Sequence, residues 1–83
     1  MLTKFIDAAM RRAEYSILDD DGTFYGRIPD LQGVWANAET LSQCQQDLQE
    51  TLEEWILLGL HLHHRIPIID GIDLNPRAQV EVA

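Results

Sequence analysis

The chain has 83 residues, of which 46% are hydrophobic and 24% are charged, and its formal net charge at pH 7 is −8. This length and composition predict one globular domain over residues 1–83 and argue against a disordered chain. A core of this size leaves a narrow margin of stability, so we expect subunits to associate. The excess of fourteen acidic over six basic residues disfavours direct binding to a nucleic-acid backbone and favours a basic protein partner.

The cysteine count and the apolar runs predict a cytoplasmic location. The single cysteine, Cys44, cannot form a disulfide within the chain, which is typical of a reducing compartment. No apolar run approaches the roughly 20 residues that a membrane-spanning helix needs. Lys4 and Asp7 interrupt the first apolar stretch, so a signal peptide is not predicted either.

An amphipathic helix is predicted over residues 2–12, where apolar side chains recur at helical spacing. Thr3 is the expected N-cap of this helix. Arg11 and Arg12 stand near its end, where cations interact favourably with the helix dipole. We expect this helix to cover part of the core.

Three short strands are predicted next, over residues 14–18, 23–28 and 34–37, from the alternation of apolar and polar side chains. The first two form a hairpin around the turn Asp19–Gly22. The aspartates of this turn lack the ligand spacing of a calcium-binding loop, so a solvated turn is the better interpretation.

A long helix is predicted from Thr40 to about Leu62. Thr40 and Gln43 match a capping box, in which each side chain satisfies a backbone N–H group of the first turn. The apolar stripe of the helix consists of Leu41, Cys44, Leu48, Leu52, Trp55 and Gly59. Because Cys44 lies on this stripe, we expect a buried, unreactive thiol.

The second half of this helix is apolar on every face. Because the whole helix is longer than short strands, we expect its far end to extend beyond the sheet and to expose Ile56, Leu57 and Leu60. This exposed apolar end predicts a subunit interface. We expect a homo-oligomer, most simply a two-fold dimer. Residues 65–77 are predicted to be extended, and residues 78–82 to form a last strand. The predicted interface residues are Ile56, Leu57, Leu60, Ile68 and Val80.

No motif in the sequence predicts catalysis or a cofactor. There is no phosphate-binding glycine loop, nucleophile elbow or Cys-x-x-Cys pair. His61, His63 and His64 cluster near a helix end, but they match no recognised pattern of metal ligands. We therefore predict that the protein is not an enzyme and holds no metal, while a small metal- or ligand-binding protein remains an alternative.

The central part of the chain resembles the HicB-like antitoxin family. The resemblance lies in an aromatic-rich hairpin, then Ile-Pro-Asp-Leu-Gln-Gly-Val at residues 28–34, and then a helix that starts Glu-Thr-Leu at residues 39–41. It covers about residues 15–67. Longer members of that family carry a C-terminal DNA-binding module that these 83 residues lack, so the chain resembles the short stand-alone members.

The resemblance implies a partial double-stranded-RNA-binding-like fold and a small basic toxin partner, HicA-like, whose RNA-cleaving site the antitoxin covers. Combined with the predicted elements, it gives an α+β domain of order α-β-β-β-α-β, with an antiparallel sheet and both helices on one face. The residues predicted to contact the partner are Asp19, Asp20, Asp21, Tyr25, Arg27 and Asp30. Direct nucleic-acid binding through the same fold is the alternative, and a steep salt dependence of RNA affinity would reveal it.

Overall fold

The protein is an α+β domain in which one helix precedes, and a longer helix follows, a three-stranded antiparallel sheet. The structure, a computed structural model, describes residues 1–76. The elements are α1 (Leu2–Arg11), β1 (Glu14–Ile17), β2 (Phe24–Arg27), β3 (Trp35–Ala38) and α2 (Leu41–His61). The order α-β-β-β-α matches the first five elements of the predicted order. The sixth, the strand predicted over residues 78–82, lies outside the described residues.

The sheet has the order β1-β2-β3, and each neighbouring pair is antiparallel. The predicted hairpin between β1 and β2 is confirmed, and its turn is closed by Asp21. The Oδ1 atom of Asp21 accepts hydrogen bonds from the Thr23 backbone N–H at 3.0 Å and from its hydroxyl at 2.7 Å. Gly22 follows with φ +69°, a conformation that glycine adopts without a steric cost.

Residues 28–34 connect β2 to β3 and contribute to the core. Ile28, Leu31 and Val34 are buried along this connection. Leu31 N–H donates to the Ile28 carbonyl at 2.9 Å, which closes a tight turn with Pro29 and Asp30 at its centre. The strand predicted at residues 34–37 is observed one residue later, as Trp35–Ala38.

At the start of α2, one of the two hydrogen bonds of the predicted capping box is observed. The Thr40 hydroxyl accepts from the Gln43 backbone N–H at 3.0 Å, as predicted. The Gln43 side chain does not complete the box, because its Nε2 donates to Asp47 Oδ1 at 2.8 Å, one turn further along the helix.

The predicted N-cap of α1 is wrong. The helix begins at Leu2 with Met1 as its N-cap, and no side chain caps it. The reason is that the Met1 carbonyl already accepts from the Phe5 backbone N–H at 2.9 Å, so Thr3 lies inside the first turn.

The expectation that both helices cover the sheet is half right. α2 packs on β2 and β3, whereas the backbone of α1 packs against α2 and not against a strand. α2 has 21 residues and a length of about 31 Å, while a four-residue strand spans only about 13 Å. One helix therefore suffices for the sheet, and α1 packs alongside the middle part of α2.

Burial along the second half of α2 contradicts the predicted exposure of Ile56. Ile56 is 1% exposed and belongs to the buried core cluster, and Leu2 and Ile6 of α1 line a groove beside it. Leu57 is exposed as predicted, at 64%, and Leu60 is half-buried. The described fold therefore leaves Ile56 almost no exposed surface to offer a second subunit.

The segment that follows α2 is irregular and folds back on the domain. Ile66 and Ile69 are buried, and Ile66 lies against Gly59 of α2. Ile69 and Ile72 form an isolated antiparallel pair around a two-residue turn. The segment predicted to be extended over residues 65–77 is, over the described residues 65–76, irregular with one tight turn, and it packs on the domain through Ile66 and Ile69.

Candidate interaction surfaces

No described element covers the second face of the sheet, and its side chains form two rows. The register places Glu14, Arg27 and Trp35 side by side across the three strands, and Ser16, Tyr25 and Asn37 in the next row. Side chains alternate between faces, and Gly26 and Ala36, on the opposite face, are buried beneath α2. The two rows therefore make up the open sheet face.

An aromatic pair dominates the open sheet face. The rings of Tyr25 and Trp35 are stacked, with centroids 6.1 Å apart and planes inclined by 30°. Trp35 is 55% exposed. Tyr25 and Arg27 were predicted partner contacts and Trp35 was not, although the alternation of side chains along β3 places Trp35 on the face opposite to Ala36.

The charges of the open sheet face cancel. Arg27 Nη2 lies 3.2 Å from Glu14 Oε1, and both side chains are more than half exposed. The predicted contact residues Asp19 and Asp20 are exposed in the turn between β1 and β2. Hydrogen bonding by Thr23 lowers the pKa of Asp21 in the same turn.

The structure does not bring Asp30 to the open sheet face. Its Oδ2 accepts from Arg12 Nη1 at 2.8 Å, and Arg12 Nη2 donates to Asp70 Oδ1 at 2.6 Å. Arg11 approaches Asp70 at 3.8 Å. The hydrogen bond from Arg12 lowers the pKa of Asp70. Arg12, directly after α1, thus joins the β2–β3 connection through Asp30 to the C-terminal segment through Asp70.

A groove of about 640 Å³ lies between α1 and α2. Its lining is polar and acidic, with an apolar contribution from Met10 and Tyr15. The other lining residues are Arg11, Gln45, Gln46, Gln49, Glu50 and Glu53. A second, smaller and apolar groove lies between the same two helices and is lined by Leu2, Ile6, Glu53, Ile56 and Leu57.

The outer side of α2 is strongly negative. The helix contains four carboxylates and no lysine or arginine. These carboxylates are Asp47, Glu50, Glu53 and Glu54. Asp47 and Glu53 accept hydrogen bonds from the neutral amides of Gln43 and Gln49, which leaves their charge uncompensated.

A separate apolar surface lies at the end of α2. Leu58, Leu62 and Ile68 are 58%, 48% and 52% exposed. Trp55 lies half-buried next to Leu58, and both line a small cavity with Ile66. This surface includes Ile68 from the predicted subunit interface and adds Leu58 and Leu62, while Val80 lies outside the described residues.

The side chains considered for chemistry are dispersed or buried. His61, His63 and His64 are exposed, and within residues 1–76 no three His, Cys, Asp or Glu residues are grouped so as to hold a metal ion. Cys44 is fully buried, as predicted, and burial raises the pKa of its thiol. Its Sγ lies 3.7 Å from the Ala36 carbonyl oxygen. Neither helix in the described part of the chain has the length and apolar character needed to cross a membrane.

The fold and its surfaces define a small α+β domain with one open sheet face and an acidic helical side. The chain belongs to the UPF0150-like family, whose model matches residues 4–67. The crystal structure of TTHA0281 from Thermus thermophilus is similar, with a TM-score of 0.84 and 36% sequence identity over 93% of this chain and 95% of that chain. The UPF0150 protein ssr1258 of Synechocystis sp. is 30% identical over 47 residues, which are 53% of this chain and 68% of that protein.

Proposed function

We propose that this protein is an antitoxin-type interaction protein of the HicB-like kind, which binds a small basic RNA-cleaving toxin and blocks its RNA site. The observation that carries the proposal is the outer side of α2, with its four carboxylates and no lysine or arginine. Such a surface attracts a basic protein and repels nucleic acid. Membership of the UPF0150-like family supports the coarser part of the proposal, a small protein of toxin–antitoxin type.

In this proposal the protein acts by binding alone, in the cytoplasm, without a catalytic residue or a cofactor. It does so as a homo-oligomer, most simply a dimer, for which the apolar surface of Leu58, Leu62 and Ile68 is the contact. Exposed leucine and isoleucine side chains occur at the end of α2 and in the segment that follows it, and their burial against a second copy would stabilise a small core.

The experiment is to capture the tagged protein from its native cell and to identify co-purifying proteins by mass spectrometry. We expect a small basic partner that cleaves RNA when it is separated from this protein and stops cleaving when equimolar protein is added back. A partner whose cleavage continues at equimolar ratio, or the absence of any basic partner, would contradict the proposal. RNA bound directly, with an affinity that falls steeply with salt, would favour the nucleic-acid alternative.

A further inference from the structure

The two grooves between α1 and α2 lie one after the other along the helix pair. Met10, near the end of α1, lines one groove with Gln49 of α2, whereas Leu2, at its start, lines the other with Leu57, so the helices run antiparallel. Glu53 lines both grooves, which are therefore adjacent. Together they have an acidic half and an apolar half, and we call the pair the helix-pair groove.

Electrostatics determine which ligands the acidic half accepts. Glu50 and Glu53 line it, and Arg11 is the one cation on the lining of either half. Arg11 faces the Asp70 carboxylate at 3.8 Å, which offsets its charge. Met10 and Tyr15 are half-buried there and provide apolar surface beside the carboxylates. A lysine or arginine fits this combination, with its aliphatic stem on the apolar part and its charge near the carboxylates.

The apolar half carries side chains that the fold leaves uncovered. Leu57 is 64% exposed and Leu2 is 45% exposed, with Ile6 half-buried between the helices. Glu53 and Glu54 precede Leu57 by about one helical turn on α2, and Glu53 lines the same groove. An exposed apolar side chain beside carboxylates is suited to a partner segment that is itself both apolar and basic.

We propose that the helix-pair groove is the docking site for a basic amphipathic segment of the protein partner. The biological role of this docking rests on the function proposed above. A second copy of this chain fits the groove poorly, because it would bring its own excess of carboxylates. The open sheet face is the weaker candidate for a basic segment, since its Arg27 and Glu14 neutralise each other.

The test uses a fluorescently labelled synthetic helical peptide of about 18 residues, with leucines on one face and lysines and arginines on the other. The control peptide has the same composition in a shuffled order without an apolar face. Binding to the full chain is measured by anisotropy at about 0.15 M salt, where distant surface charges are screened. The charge variant is Glu50→Lys with Glu53→Lys, and its matched control is Asp7→Lys with Glu39→Lys, two exposed carboxylates that line neither half of the groove, which changes the net charge equally.

We expect the Glu50→Lys, Glu53→Lys variant to weaken peptide binding by at least about tenfold and the Asp7→Lys, Glu39→Lys control to change it by less than about twofold. Leu57→Ser should also weaken binding, whereas Leu41→Ser, at another exposed leucine of α2, should not. Equal losses in the two charge variants, equal binding of the shuffled peptide or no binding at all would each overturn the docking site. A native toxin that still binds Glu50→Lys, Glu53→Lys protein would overturn it and leave the proposed function standing.

Discussion

The ring of Tyr15 lies directly over Gly26. A Cβ atom at Gly26 would stand 2.7 Å from Cε1 and 2.8 Å from Cδ1 of the Tyr15 ring, and 3.2 Å from the Cys44 sulfur. These distances are too short for ordinary carbon contacts, so the close approach of β1, β2 and α2 requires a glycine at this position.

Replacing Gly26 with alanine should therefore destabilise the fold. We expect a loss of about 1–3 kcal/mol in the free energy of unfolding, typical of an overpacked core, measured by denaturant titration. The loss should be smaller in a Tyr15→Ala background, because the ring that collides with the new methyl group is then absent. Strictly additive effects of the two substitutions would show that Tyr15 is not the obstacle.

Cys44 should react slowly with a thiol reagent in the native protein. Its side chain is fully buried, and burial together with the nearby charge of Asp47 raises the pKa of the thiol. Unfolding in denaturant at the same pH should restore rapid labelling. Tyr15→Ala should speed native labelling, whereas Tyr25→Ala, on the open sheet face, should leave it unchanged. Rapid labelling of the unaltered protein would contradict the packing of α2.

The N-cap of α2 offers a test with an internal control. Thr40→Ala removes the hydroxyl that accepts from the Gln43 backbone N–H and should cost about 1 kcal/mol of stability. Thr3→Ala should cost nothing measurable, because Thr3 caps no helix. The melting temperatures of the two variants are compared by thermal unfolding, and equal decreases in melting temperature would contradict the assignment of Thr40 as the N-cap.

Acid should weaken the attachment of the C-terminal segment. The hydrogen bond from Arg12 lowers the pKa of Asp70 below the ordinary value, which is about 3.9 in an unfolded chain. The contribution of the ionised Asp70 carboxylate to folding stability is therefore present above about pH 4. It is lost as the pH falls through the lower pKa that Asp70 has in the folded protein.

An NMR titration of the Asp70 carboxyl group measures this effect. Arg12→Gln should raise the pKa of Asp70 towards its ordinary value and remove this part of the acid sensitivity. Arg27→Gln, whose partner is Glu14, should leave the Asp70 titration unchanged. A similar pKa of Asp70 in all three proteins would exclude the role assigned to Arg12.

The oligomer should depend on the apolar surface at the end of α2. Leu58→Glu places a charge at the centre of this surface and should shift the protein towards the monomer in light scattering. Leu41→Glu makes the same change at an exposed leucine near the other end of α2 and should leave the mass unchanged. A monomeric unaltered protein at high concentration would contradict the predicted assembly.

Local sequence patterns predicted the helices and strands, whereas the exposure and pairing of surface side chains depend on contacts between residues far apart in the chain. Alternation located the three strands, and Thr40 marked the start of α2, because both signals lie within a few neighbouring residues. The two ion pairs of Arg12 join residues 18 and 58 positions away in the chain, and no local pattern encodes such a separation. Ile56 was misjudged for the same reason, since it belongs to a core cluster of residues that are far apart in the chain.

The side chain of Asn75 determines how the segment after α2 closes on itself. Its Oδ1 accepts from the Ile66 N–H and its Nδ2 donates to the Ile66 carbonyl, both at 2.7 Å, so one amide takes the place of a neighbouring strand. A single side chain, nine residues further along the chain, thus holds both backbone groups of Ile66, and its loss would remove both hydrogen bonds at once.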